Sequence, residues 1–181
     1  MRIFRQDDRS RRSVATWSVA ALLFTTAPGL TADPPRLLVL PIEMVDTSGE
    51  MPSGAKEHED RLAALRWYLA HDLEAHGLYA ISDPAPISEA IDKARALQPL
   101  DKCHGCERDL SRLVHADRVL IGEIHKVSSL IGGLRLDIID VASGRNVFGR
   151  DLGFRGDTDE AWQHAIRFFV RDLEAVPAQQ R

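Results

Sequence analysis

The 181-residue sequence contains no apolar run of the ~20 residues that a membrane-spanning helix needs; its longest largely apolar stretch runs only from Val14 to Phe24. A stable helical membrane anchor is therefore not expected. Cysteine is nearly absent, with Cys103 and Cys106 alone. A structural zinc, which takes four ligands, would have to add His104 and a more distant residue to that pair. Haem attachment is excluded, because Glu107 rather than His follows the second Cys. Also missing are the GxGxxG and GxxxxGK[ST] phosphate loops, the GxSxG elbow and the HExxH metal motif. Ser, His and Asp are scattered without a shared motif, so enzyme activity has no positive support and no cofactor is expected. Internal repeats and low-complexity tracts are absent too.

The first 32 residues read as a removable export signal. Arg2, Arg5, Arg9, Arg11 and Arg12 precede the apolar stretch, and Leu30-Thr31-Ala32 ends in the small residue that cleavage requires. Cleavage after Ala32 gives a mature chain from Asp33, the length of one ordinary domain. The Arg11-Arg12 pair resembles a twin-arginine signal, but Ser13 to Thr16 continue it poorly, which favours general secretion. No Cys follows the apolar stretch to accept a lipid. Five of the 23 Lys and Arg and two of the 27 Asp and Glu precede Asp33, leaving 18 against 25, a net charge of −7. Phosphate binding needs a basic face, so nucleic acid is not an expected partner.

Along the mature chain, Arg36 to Ile42 is a short, nearly continuous apolar run, as in a strand buried on both faces. Glu43 to Glu57 turns polar and reads as a long loop. Leu62, Leu65, Leu69 and Leu73 recur at helical spacing from Glu59 to His76, and Gly77 caps the helix. Leu78 to Ser82 is a second strand. Asp83-Pro84 starts a helix carrying Ile87, Ile91, Ala94 and Leu97, which ends before Pro99. The cysteine turn leads into a helix with Leu110, Leu113 and Val114. Arg118 to Ser128 is a strand, Gly132-Gly133 a bend, and Leu134, Leu136 and Ile138 alternate with Arg135 and Asp137 in the next strand. Ser143-Gly144 turns the chain into Asn146 to Phe154. Asp157 and Glu160 form a capping-box pattern before a final helix striped by Trp162, Ile166, Phe169, Val170 and Leu173. The pattern predicts an α/β (α+β) domain at 33–181, a single mixed sheet of about five strands with helices packed on it.

Three segments carry a resemblance: Cys103-His104-Gly105-Cys106-Glu107, Lys126-Val127-Ser128 and Arg155 to Trp162. Together they resemble a family of bacterial periplasmic proteins catalogued as a domain of unknown function, over Leu37 to about Leu173. The family pattern carries Asn near Asp157 and Ser near Ala161, and this chain departs at both. More loosely, the element order and the Val141-Ala142-Ser143-Gly144 turn are similar to the N-terminal domain of TolB and the periplasmic domain of CsgG. That similarity implies a mixed-sheet binding or assembly module, and a shared fold says little about function.

Cys103 and Cys106, in a protein bound for an oxidising compartment, are expected to form a local disulfide. The alternatives are thiol exchange, with Cys103 activated beside His104 near a helix start, and a metal held by Cys103, His104 and Cys106. The other histidines lack ligand spacing: His71 and His76 are five apart, poor for one helical face. Asp157, Asp159 and Glu160 offer oxygens to a hard cation, but acids at a helix N-terminus need no ion to explain them. Asp46 to Gly49 follow the first strand, the edge where open α/β sheets bind ligands. With Lys126, Ser128 and Arg155, and with Asp159 and Trp162 of the family-like segment, Asp46 and Ser48 form the expected ligand or partner site. The reading is thus an exported periplasmic accessory or binding module, non-enzymatic, for an unknown periplasmic protein or small ligand. Its alternatives are a thiol-disulfide protein and a metal-binding protein.

Overall fold

A computed structural model describes residues 33–49 and 55–181; the expected signal segment and its cleavage point lie outside the described residues. Six strands form one mixed sheet: β1 (Arg36–Val39), β2 (Glu43–Asp46), β3 (Ala80–Ile81), β4 (Arg118–Lys126), β5 (Ile131–Asp140) and β6 (Asn146–Arg155). Four helices pack on it: α1 (Ala55–Ala75), α2 (Ser88–Leu97), α3 (Cys106–Leu113) and α4 (Asp159–Glu174). The sheet order is β3-β1-β4-β5-β6, with β2 also paired to β4. β1, β2 and β3 run parallel to their neighbours, and β4 to β6 form the expected antiparallel meander. No helix among the described residues is long and apolar enough to cross a membrane.

The continuous apolar run at the first strand is explained by two cores. Leu37 and Val39 face a core with Leu65, Leu69 and Leu73 of α1 and Ile166, Phe169 and Leu173 of α4. Leu38 and Leu40 face the other side, with Ile87, Ile91, Leu110 and Val114 around α2 and α3. Strand side chains alternate between faces, so only a strand covered on both can be apolar throughout. β5 is covered on one face alone: Leu134, Leu136 and Ile138 are fully buried while Arg135 is exposed and Asp137 half-buried.

The polar stretch after Ile42 is not wholly a loop. Glu43 to Asp46 pair in register with Glu123 to Lys126 of β4, so β1 and β2 are two halves of one broken strand. Val39 is opposite Leu120 and Glu43 opposite Glu123, so Leu40, Pro41 and Ile42 bulge against Ile121 and Gly122. Pro41, which has no N–H to give the ladder, is tolerated at such a bulge. Gly122 is required there, since a Cβ would sit 2.7 Å from Leu136 Cδ2 and 3.3 Å from Ile42 Cγ1.

Other boundaries also shift. α1 begins at Ala55, ahead of the expected Glu59. Gly132 and Gly133 lie inside β5 rather than at a bend; a Cβ on Gly132 would meet the Phe154 ring at 2.6 Å. The expected Asp157–Glu160 capping box does not form. Thr158 is the N-cap, its hydroxyl accepting from the Ala161 N–H at 3.2 Å, because the Asp157 carboxylate is held elsewhere. The disulfide turn leads into α3 as expected, with Ser111 Oγ donating to Glu107 C=O.

The end of α1 is set by Gly77. At φ +64° it lets the Leu78 N–H reach back to Leu73 C=O at 3.0 Å, a Schellman closure. No atom lies within 4 Å of where its Cβ would be, so a side chain there meets backbone strain and no clash. Gly77→Ala is expected to cost about 1 kcal/mol, the left-handed penalty for a residue with a Cβ, measured by urea unfolding. No loss would mean that the cap is not what ends the helix.

Candidate functional site

Lys126 is the last residue of β4 and lies on the same sheet face as Leu120 and Ile124, so its side chain enters the α1/α4 core and is only 8% exposed. A buried ammonium must be paired. Lys126 Nζ is 3.7 Å from Asp46 Oδ2 and 3.5 Å from Asp157 Oδ2. The other oxygen of Asp157 accepts from Arg61 Nη1 at 3.1 Å, and Arg61 Nε donates to Asp159 at 2.7 Å. The Arg61 guanidinium also stacks over Trp162, 4.1 Å from the ring centroid. One ionic chain therefore ties β2, β4, α1 and the start of α4 together. Among the described residues Arg61 Nη2 and Trp162 Nε1 are buried with no hydrogen-bond partner.

The structure brings together Asp46, Ser48, Lys126, Asp159 and Trp162 of the expected site. Ser48 donates through N–H and hydroxyl to Asp46 Oδ1, at 2.9 and 2.6 Å. Ser128 serves the β4–β5 turn, its hydroxyl accepting from the N–H groups of Leu130 and Ile131. Arg155 ends β6, exposed and opposite Ile131, outside the ionic chain. The two family-like segments do meet through backbone: Gly156 N–H donates to Leu130 C=O and Asp157 N–H to Ser129 C=O.

Sequence reasoning missed Arg61 and misassigned Asp157. A signal for Arg61 was present: it stands four residues before Leu65, eight before Leu69 and twelve before Leu73, on the buried stripe rather than the solvent face.

Cys103 and Cys106 are joined by a disulfide. Their loop carries Leu100, 2% exposed, into the α2/α3 core, so the bridge staples a core residue in place. His104 is exposed at φ +50°, while Glu107 is buried beside the sulfurs. Glu107 Oε2 accepts from Gly105 N–H at 2.8 Å and lies 3.2 Å from Cys103 Sγ. Among the described residues the grouping close enough to ligate a metal is Cys103, Cys106 and Glu107, without His104, and its cysteines would be ligands only as free thiolates, with the disulfide reduced. A carboxylate next to the sulfur repels a thiolate, whereas exchange-active cysteines sit in electropositive surroundings.

Beyond the broken strand, the sheet opens into a groove between α1 and α2. Two adjoining cavities, of ≈ 470 and ≈ 530 Å³, share Glu59, Leu62 and Arg95. Pro41, Ile42 and Ile91 line one and Glu43, Met44 and Asp46 the other. Burial lowers the pKa of Arg66 on its wall, opposed by the nearby Asp83 carboxylate.

Two outcomes follow from this geometry. Lys126→Met leaves Asp46 and Asp157 facing one another without their ammonium and is expected to cost about 3 kcal/mol in chemical unfolding. Hydrogen bonds from Ser48, then the Lys126 charge, hold the Asp46 carboxyl below its ordinary 3.8. A depressed carboxylate contributes stability above its unfolded pKa and loses it as pH falls through the folded value. The stability gap between wild type and Ser48→Ala should thus be full at pH 6 and close below pH 3.8; a pH-independent gap would assign Ser48 another role. For the disulfide, Cys103→Ser/Cys106→Ser should cost about 2 kcal/mol, the loop entropy of so short a bridge. The folded wild type should not exchange with dithiols; rapid exchange would make the pair a redox centre.

The family described as DUF3280, Protein of unknown function (DUF2380), matches residues 35–173. No curated protein matches the chain. Among solved structures, the PelC dodecamer from Paraburkholderia phytofirmans aligns at TM-score 0.51 and 18% identity, over 84% of this chain and 96% of that one. The LpoB C-terminal domain from Salmonella enterica aligns at 0.44 and 18%, over 70% and 86%. TolB from Acinetobacter baumannii aligns at 0.47 and 10%, over 78% of this chain and 28% of TolB. The PelC likeness shows a shared fold.

Proposed function

Since the chain belongs to this family of proteins of unknown function, we propose that it is an exported, non-enzymatic accessory protein that binds a periplasmic protein or small ligand in the α1/α2 groove. The observation that carries this reading is the groove itself, placed where the parallel strands β1 and β3 end and lined by Ile42, Leu62 and Ile91 under a charged rim. Ligands favour that edge of open α/β sheets, and a largely apolar concavity with few polar groups is the usual form of a binding site. The ionic chain of Arg61, Lys126, Asp46, Asp157 and Asp159 supports it from the other side. Those charges are engaged with one another across four elements, so they serve architecture in preference to turnover. Glu107 beside Cys103 weighs against the thiol-exchange alternative.

The test is a photo-crosslinking residue at Ser88, on the groove wall, compared with one at Arg171 on the exposed side of α4, in cells producing the chain. A discrete adduct from Ser88 alone is the expected outcome, and the cell fraction should give an intact mass for 33–181 less two hydrogens. Turnover by the purified protein, abolished by one substitution that leaves Tm unchanged, would overturn the reading.

A further inference from the structure

The open side of β2 specifies what kind of partner the groove takes. β3 pairs only with Arg36 and Leu37, at the start of β1, and Ser82 N–H makes the last bond of that edge, to Leu37 C=O. The chain then leaves at Asp83-Pro84 toward α2, so among the described residues β2 has β4 on one side and no strand on the other. Thr47 N–H bonds to Lys126 C=O at 2.9 Å. Successive residues of a parallel strand direct their backbone groups to opposite sides, so Met44 and Asp46 turn theirs to the open edge. An unpaired strand edge is a template for another chain, and here it runs along the wall of the groove.

Charge selects among such chains. Glu59 on α1, Asp83 two residues beyond β3 and Asp92 on α2 stand exposed around the groove. Of its two arginines, Arg95 is turned to Glu43 at 3.6 Å and Arg66 is half-buried near Asp83. The rim therefore carries excess negative charge, which attracts cationic segments and rejects acidic ones.

Resting on the binding-module reading above, we infer that the partner is an extended, basic polypeptide segment that adds to β2 as a strand, bonding the backbone of Met44 and Asp46. Alternate apolar side chains of that segment enter the space around Ile42, Leu62 and Ile91, and its Lys or Arg residues meet Glu59 and Asp92. Backbone bonds supply affinity and side-chain pockets supply selectivity in such strand addition.

The experiment titrates the purified protein with three synthetic peptides: an alternating Lys-Val hexapeptide, the Glu-Val hexapeptide and a Lys-Leu peptide stapled as a helix. Amide hydrogen exchange is read residue by residue. The expected result is binding of the Lys-Val peptide alone, with slowed exchange at the Met44 and Asp46 amides. Met44→Pro, which removes an outward N–H and leaves the β4 ladder intact, should weaken binding about tenfold or more. Glu59→Gln/Asp92→Asn should weaken it and flatten its salt dependence, while Tm of each variant monitors folding. Protection at the β6 edge instead, or equal binding of the helical or acidic peptide, would overturn strand addition at β2 and leave the binding module standing. No binding by any peptide, with a Ser88 crosslink still formed in cells, would refute the strand-adding partner alone; absence of both would remove the binding module as well.

Discussion

Strand β4 is paired along its length on both sides, to β1 and then β2 on one and to β5 on the other. Its alternate residues feed both cores: Val119 faces α2 and α3, while Leu120 and Ile124 face α1 and α4. Neither helix layer has a surface to cover unless β4 is in register. A slip of one residue would put Val119 where Leu120 packs and carry Lys126 out to solvent. The bulge at Leu40 to Ile42 follows from the same demand. Pro41 breaks the first strand, yet both of its halves must still align with β4, and Gly122 leaves the room that this requires.

The ionic chain at the end of β4 is best understood as a register device. Burying Lys126 costs desolvation that its ion pairs with Asp46 and Asp157 offset, and a cluster of such buried pairs adds little net stability. What it does contribute is specificity, because β2, α1 and α4 must each arrive with a named charge or leave another one orphaned. Asp157 lies between the two cations and is thereby withdrawn from capping α4, which Thr158 does instead. The disulfide acts similarly at the opposite face, holding the loop that delivers Leu100 to the second core.

Two uncovered surfaces among the described residues differ in character. The outward face of β5 and β6 carries Arg135, Asp137 and Asp151 and is polar. The edge of β2 adjoins an apolar floor under an acidic rim. The second has the features expected of a recognition site, whereas scattered charge on a solvated sheet face is what exposure alone requires.

The sequence by itself determined the helix stripes of α1 and α4, the two-faced burial of the first strand, the meander from β4 to β6 and the Gly77 stop. Each is written in local periodicity or in a backbone preference, so neighbours along the chain suffice to read it. The pairing of Cys103 with Cys106 belongs with these, being three positions apart. Tertiary structure alone decided that Glu43 to Asp46 form a strand, since this segment of two acids and two apolar residues, none of them buried, extends only because β4 offers it a ladder. It also decided that Arg61, Asp46, Lys126 and Asp157, spread over more than a hundred residues, become one cluster around the buried Lys126, while Arg155 stays at the surface outside it. Charge on a helix or strand records no partner. Which of these groups is desolvated, and by what it is compensated, depends on the faces that packing brings together.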